Sequence, residues 1–150
     1  MADIKKILCA IDLSDHSKVV AAYAVMLAKA FDAEITVLYA APSLSQYVGF
    51  HVPPSSIENF VGEIISGAEK SMESFVAENL AGVKACSKII SGYAAQEILN
   101  YAAGNDIDII VMGTHGRAGI DRILFGSVAE KVVKTATIPV MTVRPAVSAA

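Results

Sequence analysis

Two kinds of apolar pattern alternate along the chain. Short stretches rich in aliphatic residues occur at Ile4 to Ile11, Glu34 to Ala41, Val83 to Ile90, Ile107 to Met112 and Ile138 to Val143. Between them, apolar residues return at three- and four-residue steps, the repeat of a helix with one buried face. The longest such stripe carries Ile57, Phe60, Val61, Ile64, Ile65, Ala68, Met72, Phe75, Val76 and Leu80. All ten are expected in the core. Lys18 to Phe31 is rich in Ala, Leu and Met, lacks Gly and Pro, and follows Ser14, which can cap a helix. Tyr93 to Ala103 and Gly126 to Thr135 complete the helical set, with stops at Asp32-Ala33 and Gly104-Asn105.

The resulting order is β-α-β-α-β-α-β-α-β. Such alternation predicts an α/β fold, a parallel five-stranded sheet with helices on both faces. Strands that read as unbroken apolar runs fit a sheet buried on both sides. A chain of 150 residues suits one domain. The domain is expected over residues 1–145, with 146–150 as a loose tail.

Composition narrows the function classes. With hydrophobic residues at 54% and a formal charge of −3, no global attraction to nucleic acid or an anionic membrane is expected. The longest apolar run, Val19 to Ala28, ends at Lys29 and is too short for a bilayer span. The start of the chain reads as a strand rather than a secretory signal, so a cytoplasmic location is expected. Cys9 and Cys86 lie in strand-like runs without a CxxC pair, as small buried hydrophobes in a reducing compartment would. The three histidines share no metal-ligand spacing.

The candidate chemistry lies in GTHGRAGIDRILFGSV, Gly113 to Val128, directly after the fourth apolar run. Four glycines, two arginines and a histidine are more than a tight turn needs. In a doubly wound sheet of order 3-2-1-4-5, the first and fourth strands flank the reversal where ligands bind, beyond the strands' carboxyl ends. This stretch, Asp12 and the long Pro42 to Ser56 connection would then meet at one end of the sheet. Gly113 and Gly116 allow close approach of backbone N–H groups, and Gly126-Ser127 opens a helix, a setting that favours an anion. Arg117 and Arg122, with Lys131 and Lys134 against Asp121 and Glu130, leave four positive and two negative charges, a local excess of two. Plain loop glycines or a protein-contact loop are the alternatives. Asp12 suits the sugar or base end of a nucleotide, or a Mg2+ held against its phosphates. Neither GxxxxGK[ST] nor GxGxxG after the first strand is present.

The motif Gly113-Thr114-His115-Gly116, nine residues, then Gly126-Ser127-Val128, resembles the ATP-binding signature of the universal stress protein family. KKILCAIDLSDHS and IPVMTVRP resemble that family's first and last strands. The resemblance implies a Rossmann-like domain related to the adenine nucleotide α-hydrolases, binding ATP. Adenine and ribose would meet Ala10, Ile11, Asp12, Ala40, Met112 and Gly113. Thr114, His115, Gly116, Arg117, Gly126, Ser127 and Val128 would complete the nucleotide site. Ala10 stands where the family often has proline, and Ala40 where it often has valine. The resemblance also implies a homodimer through the last strand, Ile138 to Val143. The expected role is nucleotide-dependent regulation in a stress response, with at most slow hydrolysis. An α-phosphate-cleaving enzyme and a ligand-free interaction module are the alternatives. Tyr47, Phe50 and His51 could close over the nucleotide, make a dimer contact, or do neither.

Overall fold

The computed structural model describes residues 3–41, 54–115 and 126–144. Its elements run β1 (Lys6–Ile11), α1 (Ser17–Phe31), β2 (Glu34–Ala41), α2 (Pro54–Asn79), β3 (Ala85–Ser91), α3 (Ala94–Gly104), β4 (Ile109–Gly113), α4 (Ser127–Thr135) and β5 (Val140–Val143). The strands form one sheet of order β3-β2-β1-β4-β5, and every neighbouring pair is parallel. The doubly wound α/β arrangement read from the alternation is therefore the fold.

β1 lies at the centre. Ile7 pairs with both Ile35 and Ile109, and Ala10 with both Leu38 and Met112. Alternate side chains enter opposite cores. Ile7, Cys9 and Ile11 meet Val20, Ala24 and Ala28 of α1 and Met72 and Phe75 of α2. Leu8 and Ala10 meet Ala95, Ile98 and Ala102 of α3 and Ala129 and Val132 of α4. The alanines on the inner lines of α1 and α3 let those helices approach the sheet closely. The amino ends are fastened by one carboxylate: Asp108 Oδ2 accepts the N–H groups of Lys5 and Lys6 at 2.8 and 2.9 Å.

Three expectations are corrected. Ser14 does not cap α1: the N-cap is His16, and its side chain makes no capping bond. The Ser14 carbonyl instead accepts the Ser17 N–H at 3.0 Å, a local turn that uses the backbone oxygen. Phe60 is 49% exposed rather than core. It follows from helix rotation: Val61, Ala68, Met72 and Phe75 mark the buried line of α2, and Phe60 sits one residue, about 100°, off Val61. Cys86 is exposed, because β3 is an edge strand and only its Ile90 packs into the cluster beneath α3 and α4. The Ile57 side chain, most of the 42–56 connection and the 146–150 tail lie outside the described residues.

The two thiols should behave oppositely. Burial pushes the Cys9 thiol up to about 12, whereas Cys86 faces solvent beside Thr36, with Oγ1 and Sγ 3.5 Å apart. A thiol reagent should modify Cys86 in the native protein and Cys9 only on unfolding; rapid native labelling of both would contradict this burial. Above the ordinary thiol range, the unfolded chain releases the Cys9 proton while the folded chain keeps it. Stability from this group is therefore present below about pH 8.5 and falls as pH rises toward 12. Urea titrations at rising pH should show a smaller alkaline loss for Cys9→Ala than for wild type.

Candidate functional site

The carboxyl ends of β1 and β4 carry most of the residues singled out by the sequence. Asp12 follows β1 directly. Its Oδ1 accepts the Ser14 N–H at 3.0 Å and the Ser17 hydroxyl at 3.2 Å, folding the loop back on itself. Leu13, between them, takes a left-handed conformation at φ 62°. A non-glycine residue held there costs on the order of 1–3 kcal/mol. The Asp12 bonds oppose that strain. Beside them, the Ser14 Oγ is buried without a hydrogen-bond partner among the described residues. An unsatisfied buried hydroxyl is unfavourable unless something supplies its partner.

On the other side of the reversal, β4 ends at Gly113 and the chain turns through Thr114, which is buried. Thr114 makes three bonds. Its N–H donates to the Val143 carbonyl at 3.0 Å, and its own carbonyl accepts the Gly126 N–H at 2.7 Å. Its Oγ1 lies 2.9 Å from His115 Nδ1. The second bond draws the start of α4 onto the end of β4. Gly126 has an ordinary φ of −70°, so its glycine character reflects space rather than conformation. A Cβ there would sit 3.4 Å from the Thr114 carbonyl oxygen and 3.7 Å from His115 Cα. At Gly113 a Cβ would lie 3.3 Å from the His115 carbonyl oxygen and 3.5 Å from Val20 Cγ2.

The first return bond of α4 runs from the Glu130 N–H to the Gly126 carbonyl at 3.0 Å. The N–H groups of Ser127, Val128 and Ala129 precede it and have no intrahelical acceptor, and the N-cap, Gly126, has no side chain to bond them. They form the positive end of the helix dipole. Glu130 is drawn away to Lys134 at 2.7 Å, which holds its carboxyl below the usual range.

The fold thus brings Ala10, Ile11, Asp12, Met112, Gly113, Thr114, His115, Gly126, Ser127 and Val128 to one end of the sheet. Ala40 lies at the same end of β2, next to Ala41, whose carbonyl accepts the Gly92 N–H at 2.8 Å. Gly116 and Arg117 lie outside the described residues, as do Arg122, Tyr47, Phe50 and His51. Leu13, Ser14 and Ser17 belong to the site although they were not singled out for it. No local signal marks a leucine for the left-handed region, and a serine before a helix reads first as a cap. No group of three or more His, Cys, Asp or Glu among the described residues could hold a metal ion. No helix among them is long and apolar enough to cross a membrane.

The architecture defines a doubly wound α/β protein whose strand order reverses between β1 and β4, the place where folds of this class bind their ligands. The universal stress protein family matches residues 3–144, and the chain belongs to that family. It is 38% identical over 145 residues to a universal stress protein of Methanocaldococcus jannaschii, covering 93% of this chain and 82% of that one. Its structure resembles that of the universal stress protein UspA from Lactobacillus plantarum with a TM-score of 0.81 at 27% identity, covering 96% of this chain and 100% of the other. The universal stress protein of Archaeoglobus fulgidus, solved in complex with dAMP, shares the fold at a TM-score of 0.67 and 21% identity, over 95% of this chain and 98% of that one.

The Asp12 turn should contribute measurably to stability. Asp12→Ala removes the acceptor of two hydrogen bonds and should lower the unfolding free energy by about 1–3 kcal/mol. Asp12→Asn, which keeps an oxygen acceptor, should lose less. Equal losses in urea titrations would show that charge, not acceptor geometry, holds the loop.

Proposed function

We propose that the chain binds ATP across the carboxyl ends of β1 and β4 and acts as a nucleotide-dependent regulator. The observation that carries this reading is the Thr114–Gly126 bond. It sets three N–H groups of α4 that have no intrahelical acceptor at the same end of the sheet as the Asp12 turn and the Ser14 hydroxyl, which has no partner among the described residues. Donors of this kind suit phosphate oxygens. Ser127, Val128 and Ala129, with Gly113 and Gly116 leaving room, would hold phosphates. Ala10, Ile11, Ala40 and Met112 would line the base, and Asp12 would accept from ribose hydroxyls or an amino group. Mg2+ would arrive with the nucleotide and offset phosphate charge. The dAMP complex of the Archaeoglobus fulgidus relative supports an adenine nucleotide as the ligand class.

Turnover is expected to be slow. The chain carries no phosphate-loop lysine, and His115 already engages Thr114 through Nδ1. A signal carried by the bound state is therefore favoured over one carried by product. The loop after β1, DLSDHS, lacks the glycines that an α-phosphate-cleaving enzyme would use there. Pairing of β5, an edge strand, with a second copy would complete a homodimer.

Calorimetric titration of ATP with Mg2+ into nucleotide-stripped protein tests the reading. Micromolar binding is expected, and both Gly116→Val and Gly126→Val should abolish it while circular dichroism remains native. An absence of binding up to millimolar ATP would overturn it in favour of an interaction module. Pyrophosphate release would point instead to the α-phosphate enzyme.

A further inference from the structure

A second surface lies away from this crevice, on α1 and at the amino end of the sheet. Surface helices normally turn charge outward. α1 has two charged residues in 15, both lysines, Lys18 and Lys29, and no carboxylate. Its exposed face carries Tyr23 at 44% and Met26 at 52% exposure, with Ala22 and Ala30 beside them. Phe31 ends the helix about 140° round from Met26, so the outward apolar pair is Tyr23 and Met26.

The carboxyl end of α1 borders a groove of about 490 Å³ at the amino ends of β1, β2 and β3, lined by Lys5, Lys6, Lys29, Lys84, Asp32 and Glu34 among others. Four lysines face two carboxylates. Lys84 is satisfied by Glu34 at 3.1 Å and Lys5 by Asp3 at 3.7 Å. Lys6 and Lys29 form no salt bridge among the described residues. Gly82, at φ +84°, leaves open the space beside the Lys29 stem, whose Cε lies 4.0 Å from the position a Cβ would take. Lys29 thus belongs both to α1 and to the lysine groove, and it joins the two into one surface.

We propose that this joined surface docks an acidic amphipathic helix of a partner protein. The partner's apolar ridge would cover Tyr23 and Met26, and its flanking carboxylates would meet Lys29, Lys6 and Lys18. Neither half of the surface fits another class as well. A nucleic acid would set phosphates against an apolar helix face, and a purely apolar partner would leave the lysines desolvated without counter-charge. The mode is a helix recognised by apolar anchors at three- and four-residue steps, with charge fixing its orientation.

The test uses the intact chain and two synthetic helical peptides followed by fluorescence anisotropy. One carries leucines at i, i+3, i+4 and i+7 with glutamates elsewhere; the other has lysines in place of the glutamates. The acidic peptide should bind about tenfold more tightly or better, with an affinity that falls as salt rises. Met26→Asp and Lys29→Glu change exposed side chains. Each should weaken the acidic peptide by about tenfold without altering circular dichroism or ATP affinity. Equal binding of both peptides, no binding of either, or indifference to both variants would overturn the proposal. So would a concentration-dependent self-association abolished by Met26→Asp, which would assign the face to a second copy of the chain.

Discussion

Everything in this molecule is referred to β1. It is the middle strand of the five, bonded to β2 on one side and β4 on the other, and Ile7 to Ile11 are buried. A strand so placed cannot slip by one residue without exchanging its two cores, because Leu8 and Ala10 would trade faces with Ile7 and Cys9. Register is therefore fixed, and with it the point at which the backbone leaves the sheet. Asp12 occupies the first position beyond that burial. It is the first place where a carboxylate can stand without being lost in apolar surroundings.

The crevice combines strain with rigid support. Leu13 is held in an unfavourable conformation, and Asp12 holds it by accepting from Ser14 and Ser17. Across the reversal, Thr114 links three elements at once through its bonds to Val143, His115 and Gly126. The start of α4 is consequently set by the sheet rather than by its own capping. Its first N–H groups have no intrahelical acceptor, and the N-cap, Gly126, has no side chain to offer one. A helix end left open in this way is weakly stabilised as a helix but well prepared to receive an anion.

Much of this was readable in the amino-acid order. β2 spans the very residues expected, Glu34–Ala41, because a continuous apolar run between Asp32 and Pro42 admits little else. Asp12, Gly113 and the Gly126-Ser127 pair could be placed because glycine spacing and strand ends are local signals. What escaped was set by tertiary context. Phe60 fits the helical stripe of α2, yet the helix rotates it off the buried line. Cys86 sits in an apolar run, yet β3 became an edge whose second face is only partly covered. Ser14 reads as a cap by residue type, but the Asp12 carboxylate captured its N–H and its carbonyl took the turn bond. For Phe60 and Cys86 the deciding neighbours lie far away in the chain, whereas Ser14 lost its capping role to a competing turn only two and three residues away.

The connection between Lys5 and Asp108 joins residues 103 positions apart in the chain. During synthesis, β1 leaves the ribosome long before β4 exists to pair with it. Until then, one edge of the central strand and both of its apolar faces lack their full native cover, a state open to wrong pairing. Only when β4 emerges can the sheet close around β1, and only when α4 follows can Thr114 fasten Gly126. The crevice is thus among the last parts of the molecule to come into being. A chain stalled or cut before α4 would contain most of the sheet yet lack the helix end that Thr114 fastens beside it.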